Sequence, residues 1–127
     1  MKNFPNTVNL KKVTIVNLCC NGSYGTDNIE ALLEYLFQNN KIVELELRIH
    51  KDPVKLARVV YSSINLVVLK LHANVKLELY HYNIIYPNVK VLYFIVKTQK
   101  DWDATIRLYN ACPVLQELFL GNSTYLH

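Results

Sequence analysis

Few side chains in this chain are spaced for chemistry. The first candidate is the segment Gly22-Ser23-Tyr24-Gly25-Thr26, which joins an apolar run to an amphipathic one. A glycine-bearing turn that opens a helix can offer backbone N–H groups to a phosphate. The nucleotide-binding spacings G-x-G-x-x-G and Gly-Lys-Ser/Thr are absent, however, and Asp27 would set a negative charge at the mouth of the site. The segment therefore reads as a plain turn, with a small α/β phosphate- or nucleotide-binding domain as the alternative. The histidines His50, His72, His81 and His127 form no H-x-x-x-H or H-E-x-x-H arrangement. Cys19, Cys20 and Cys112 are odd in number and two are adjacent, which is neither a disulfide framework nor a zinc pattern. They suit a reducing compartment and read as small core hydrophobes. Ser23, Ser62, Ser63 and Ser123 have turn or loop contexts, and no nucleophile–base set follows from spacing, because triads assemble in space. Tyr80, Tyr82 and Tyr86 could stack on a base or a sugar; a tyrosine rim packed over a core is the simpler account. The expectation is no enzyme, no catalytic residue, no cofactor and no metal.

Composition narrows the remaining classes. The 127 residues carry a net charge of +4 from 14 basic and 10 acidic side chains, with the lysines scattered, which argues against a nucleic-acid partner. No apolar run approaches the roughly 18 residues of a membrane span, since Asn17, Lys70 and Lys90 interrupt the best stretches. Lys2, Lys11 and Lys12 precede the apolar Val13–Leu18 as they would in a signal peptide. That stretch is short, contains Asn17 and lacks a small-x-small cleavage site, so it reads as a strand and the chain as intracellular, cytoplasmic or nuclear. The Asn21 and Asn122 sequons matter only in a secreted protein. With 3 glycines and 4 prolines there is no linker, and residues 1–127 read as one domain, part of a longer array.

What organises the chain is a repeated phrase, apolar-x-x-apolar-x-apolar. It occurs as Ile42–Leu47, Leu66–Leu71, Val89–Phe94 and Leu115–Leu120, with an earlier copy at Leu10–Ile15. The central residues Leu45, Leu69, Leu92 and Leu118 lie 24, 23 and 26 positions apart. Repeats of this length and pattern predict a leucine-rich α/β solenoid of about five parallel strands, with helices or irregular returns on the outer side. Between Val13 and Leu45 the longer insert predicts a helix capped by Asp27 and Glu30. Its apolar face holds Ile29, Leu32, Leu33, Leu36 and Phe37, and Gln38-Asn39-Asn40 ends it. Residues 101–111 also predict a helix, with Trp102, Ile106 and Tyr109 on one face, stopped by Pro113. Residues 52–61 are short helix or extended; residues 74–86 are an extra strand or an irregular return.

Strand periodicity then sorts the side chains. The pairs Val13/Ile15, Leu45/Leu47, Leu69/Leu71, Leu92/Phe94 and Leu118/Leu120 point inward. Lys12, Thr14, Val16 and Gly121 point the other way, together with a candidate partner-binding face of Glu44, Glu46, Arg48, Val68, Lys70, His72, Val91, Tyr93, Ile95, Glu117 and Phe119. In-register stacking puts Thr14, Glu46, Lys70, Tyr93 and Phe119 in one row. That row either pairs internally, Glu46 with Lys70 and Tyr93 with Phe119, or meets a protein partner; both can hold.

Three phrases carry a family resemblance. Leu66-Val67-Val68-Leu69-Lys70-Leu71 looks like "T-L-V-V-L-K-L", and Tyr86-Pro87-Asn88-Val89-Lys90-Val91-Leu92 is similar to "L-P-N-L-K-V-L". Ile106 to Leu118, with Cys112-Pro113-Val114-Leu115 at its centre, looks like "L-Q-R-L-L-S-G-C-P-V-L-E-E-L". Together they resemble the leucine-rich region of plant F-box proteins of the FBD type, over roughly residues 41–122. The family's cysteine before the first phrase is Ser63 here, and its glycine before Cys-Pro is Ala111. No Leu-Pro-led F-box precedes the first repeat and no FBD segment follows Leu120. The resemblance implies a region that recruits protein substrates to a cullin-based ubiquitin ligase, without docking on the ligase adaptor. A truncated paralogue with no partner is the alternative.

Overall fold

The structure is a computed structural model that describes residues 9–17, 24–56, 58–76, 85–96 and 99–121. Its elements run β1 (Lys12–Asn17), α1 (Tyr24–Asn39), β2 (Glu44–Lys55), α2 (Arg58–Tyr61), β3 (Val68–Lys76), β4 (Val91–Ile95), α3 (Gln99–Asn110) and β5 (Glu117–Gly121). The five strands form one sheet in the order β1-β2-β3-β4-β5, every neighbouring pair parallel. The fold of the described residues is thus α/β with one five-stranded parallel sheet. The repeat spacing translates directly into register: Leu45 lies beside Leu69, Leu69 beside Leu92 and Leu92 beside Leu118. On one side of the sheet, described parts of the connecting segments pack with the strand leucines into one buried cluster that includes Leu33, Leu56, Val60, Tyr86 and Leu108.

The core lies on that side. Val13, Leu45, Leu47, Leu69, Leu71, Leu92 and Phe94 are buried, and Leu56, Val60, Leu66, Tyr86 and Val89 from the connecting segments join them. Each such side chain contributes roughly 1.5–3 kcal/mol through the area it removes from water. Ile15 is partly buried against the same cluster. The expected fifth inward pair departs from the pattern: Leu118 is 40% and Leu120 43% exposed. β5 is the sheet's edge, so these leucines have neighbours on one flank only.

The two longer helices, α1 and α3, need correction in detail. α1 begins at Tyr24, so Asp27 sits inside the first turn instead of capping it. Ile29 and Leu33 are buried, and Leu36 and Phe37 pack against the core, but Leu32 is exposed. The asparagines do end the helix. Asn39 Nδ2 donates to Tyr35 O at 2.7 Å and Asn40 Nδ2 to Leu36 O at 3.0 Å, satisfying carbonyls that the helix leaves open. Asn40 Oδ1 also accepts from Leu10 N at 3.0 Å, and Asn9 Oδ1 from Lys41 N at 3.2 Å, tying the entry of β1 to the exit of α1.

In α3 the expected apolar stripe is not the one that packs. Trp102, Ile106 and Tyr109 are exposed, whereas Ala104, Thr105 and Leu108 are buried, with Ala111 and Cys112 just beyond the helix end. Helical spacing allows both stripes, and the one with alanines lets the helix approach the core closely. Pro113 lies beyond the last turn, where the Ala111 N–H is shared between Arg107 O and Leu108 O, both at 3.0 Å.

In both undecided connectors the described residues first extend the preceding strand. β2 continues to Lys55 through a register irregularity between Ile49 and Val54 that contains Pro53, after which α2 forms a single turn. β3 continues to Lys76, with Val75 beside Val54; of the alternating Val75, Leu77 and Leu79, only Val75 lies within the described residues, as part of β3. Residues 77–84, including Tyr80 and Tyr82, lie outside the described residues, as do Cys19, Cys20, Gly22, Ser23, His81 and His127.

Candidate functional site

The sheet's other surface carries the candidate site. Strand pleating sends Glu44, Glu46 and Arg48 of β2 to that side, and the parallel register repeats the choice on each neighbour. Two rows result. Lys12, Glu44, Val68, Val91 and Glu117 form the first; Thr14, Glu46, Lys70, Tyr93 and Phe119 form the second. Seven members of these rows, Glu44, Val68, Lys70, Val91, Tyr93, Glu117 and Phe119, line an open groove of about 390 Å³. All seven belong to the face expected from periodicity.

The other four expected residues lie further along the strands or beneath the surface. Glu46 is only 5% exposed, although its register position is on the open side. The neighbours that cover it explain this. Arg48 Nε donates to Glu46 Oε2 at 2.9 Å, and His72 Nε2 lies 3.1 Å from the same oxygen. The His72 contact has ion-pair distance but not the alignment of a hydrogen bond. Glu46 therefore takes Arg48 and His72 as partners, and the expected Glu46–Lys70 pair is reduced to a through-space attraction between neighbours. Burial pushes the Glu46 carboxyl pKa up. The Arg48 hydrogen bond and charge, aided by His72 and Lys70, outweigh it and leave the pKa below the ordinary carboxylate value. For His72, burial dominates and lowers the pKa; Glu46 opposes that shift without overcoming it.

Ile95 is the second correction: expected on the face, it is 5% exposed. Its register partner Gly121 accounts for part of this. A Cβ on Gly121 would stand 2.8 Å from Ile95 Cδ1 and 3.1 Å from Tyr93 Oη, so the missing side chain is what lets both residues lie over β5. Sequence reading placed Gly121 on this surface without giving it a task. The clue was a glycine at a face position beside a bulky neighbour.

The aromatic half of the face is continuous. His72 stacks on Tyr93 with centroids 4.2 Å apart, and Tyr93 stacks beside Phe119 at 6.1 Å, as the cross-strand reading expects for that second pair. His72, which motif reading left without a role, is thus both a half-buried neighbour of the Glu46 carboxylate and the first ring of this strip. Lys12 Nζ meets Glu44 Oε2 at 3.2 Å. Lys70 and Glu117 line the groove with no ion pair among the described residues.

Among the described residues, the remaining chemical candidates are not brought together. Tyr86 is fully buried and part of the core cluster, so it is not available to stack on a ligand. Cys112 is buried, and burial raises its thiol pKa to about 11, which suits the core role and not a nucleophile. Gly25 and Thr26 lie within the helix α1. Among the described residues no group of three His, Cys, Asp or Glu side chains is placed to hold a metal, and no helix is long and apolar enough to cross a membrane.

Fold and face together define an α/β protein with a sequentially ordered parallel sheet, covered on one side and, among the described residues, carrying an open groove on the other. Comparison with known proteins finds no matching family model, no matching curated protein and no matching solved structure.

Proposed function

We propose that this chain is a leucine-rich solenoid segment that recognises a protein through the open face of its sheet. The groove carries the reading. It combines two valines, an aromatic pair, and a lysine and a carboxylate left without internal ion pairs among the described residues. Aromatic anchors beside unmatched charges are the composition of a recognition surface, where rings supply area at low entropic cost and charges select the partner. The sequential parallel order and the spacing of about two dozen residues support the solenoid. The phrases similar to plant F-box proteins extend the reading to one cellular setting: recruitment of a substrate for a cullin-based ubiquitin ligase, in an intracellular compartment. No catalysis and no cofactor are part of this function.

Selection of a displayed peptide library on the immobilised chain tests the proposal. Peptides retained by the parent chain should lose about tenfold or more in affinity with Tyr93→Ala, Phe119→Ala or Lys70→Glu, because interface anchors typically contribute 2 kcal/mol or more each. Tyr35→Ala, on the exposed surface of α1, should leave binding unchanged. Peptides that bind all four variants equally would refute the named face. Charge reversal at Glu46, an obvious probe from sequence alone, instead tests folding, because that carboxylate is buried under Arg48 and His72.

A further inference from the structure

We infer that the β5 edge of this chain is a docking site for the β1 edge of a second copy, so that chains stack head to tail into one continued sheet. Three independent features of the edges fit each other. The first is a backbone series. Lys11 O accepts from the N–H groups of Val43 and Glu44, Val43 O from Val67 and Val68, Val67 O from Lys90 and Val91, and Lys90 O from Gln116 and Glu117. The next acceptor in that series is Gln116 O, which takes no such pair of donors among the described residues. The matching donors are the N–H groups of Lys11 and Lys12. Lys12 shares its register position with Glu44, whose N–H points toward the preceding strand, so the Lys12 N–H points away from β2.

The second feature is apolar. Leu118 and Leu120 hold core-side positions on β5 yet remain 40% and 43% exposed. A parallel strand in the register used throughout this sheet would bring Val13 beside Leu118 and Ile15 beside Leu120, as it already brings them beside Leu45 and Leu47.

The third feature is charge, and it selects the occupant. Inside the chain Lys12 pairs with Glu44 across adjacent strands at 3.2 Å. Glu117 occupies the same row as Glu44 and carries no ion pair among the described residues. In a head-to-tail stack Glu117 faces Lys12 of the next copy, one strand spacing away, and that lysine sits between two carboxylates. A two-fold pairing of β5 with itself offers Glu117 no such cation. Because the two edges differ, the contact is heterologous, and the assembly grows with concentration instead of closing as a dimer.

Sedimentation velocity over a range of concentrations tests this on the full chain. The parent chain should form a ladder of species that grows with concentration. Glu117→Lys should weaken the contact about tenfold, by exchanging an attraction for a repulsion across the edge. Leu120→Glu should leave monomer with unchanged circular dichroism. Lys12→Glu should also weaken self-association, and mixing it with Glu117→Lys should restore co-assembly, because each variant then supplies the charge that the other lacks. A chain monomeric at every concentration would overturn the inference. So would a closed dimer, or aggregates indifferent to the charge variants and their mixture. Loss of assembly with retained peptide binding in Leu120→Glu, a residue outside the groove, separates this contact from the groove.

Discussion

Leu69→Ala and Leu118→Ala replace the same residue type at the same repeat position, and the structure predicts that their costs differ by more than a factor of two. Leu69 is fully buried between Leu45 and Leu92. Truncation removes apolar volume worth about 0.8 kcal/mol per carbon, or ~2.4 kcal/mol for the atoms beyond Cβ. The central sheet position cannot collapse around the void, so the residual cavity brings the total to about 3–4 kcal/mol. Leu118 already shows 40% of its surface to water. It keeps roughly three-fifths of the transfer contribution, ~1.4 kcal/mol, and leaves no enclosed cavity. Urea unfolding followed by far-ultraviolet circular dichroism measures both, at a concentration where the chain is monomeric, so that Leu118 is not covered by a second copy. Equal destabilisation by the two variants, or a cost below about 1 kcal/mol for Leu69→Ala, would refute the claim that the repeat leucines form one spine with an uncovered last rung. For a domain whose total stability is of order 5–15 kcal/mol, Leu69→Ala should also lower the yield of folded protein visibly.

Stability should fall on acidification in two stages. His72 has a lowered pKa, so below its ordinary value of 6.5 the unfolded chain takes the proton more readily and stability declines until the folded-state pKa is passed. Glu46 also has a lowered pKa, so its contribution is complete above the ordinary carboxyl value of 4.5 and is lost as pH falls through the lower, folded-state value. Urea midpoints measured against pH should show His72→Gln flattening the upper stage and Glu46→Gln the lower; unchanged slopes would contradict the buried cluster. Cys112, with its thiol raised to about 11 and its side chain buried, should resist iodoacetamide in the folded protein and react in denaturant, as read from its peptide by mass spectrometry. Rapid native labelling would mean that the end of α3 does not seal the core there.

Periodicity along the sequence determines a large part of this protein. The phrase around Leu45, Leu69, Leu92 and Leu118 decides which residues are strands, which sides of those strands are apolar and, through repeat length, which residues are neighbours. The row of Thr14, Glu46, Lys70, Tyr93 and Phe119 was legible for that reason, and so was the asparagine stop of α1. These features depend on local pattern and on the recurrence of one phrase at similar spacing, and both are written along the chain.

What the tertiary structure alone decided depends on where the stack stops and what leans over what. Leu118 and Leu120 carry the same pattern as their predecessors, and only the sheet's edge exposes them. Trp102, Ile106 and Tyr109 form as good a stripe as the one built on Ala104 and Leu108, and only packing closeness chooses between them. Glu46 and Ile95 belong to the open side by pleat, yet Arg48 and His72 fold over the first, and Gly121 makes room for the second. Alternation states the side from which a residue leaves the strand; how much water still reaches it depends on neighbours from other repeats, whose side-chain directions no single stretch of sequence contains.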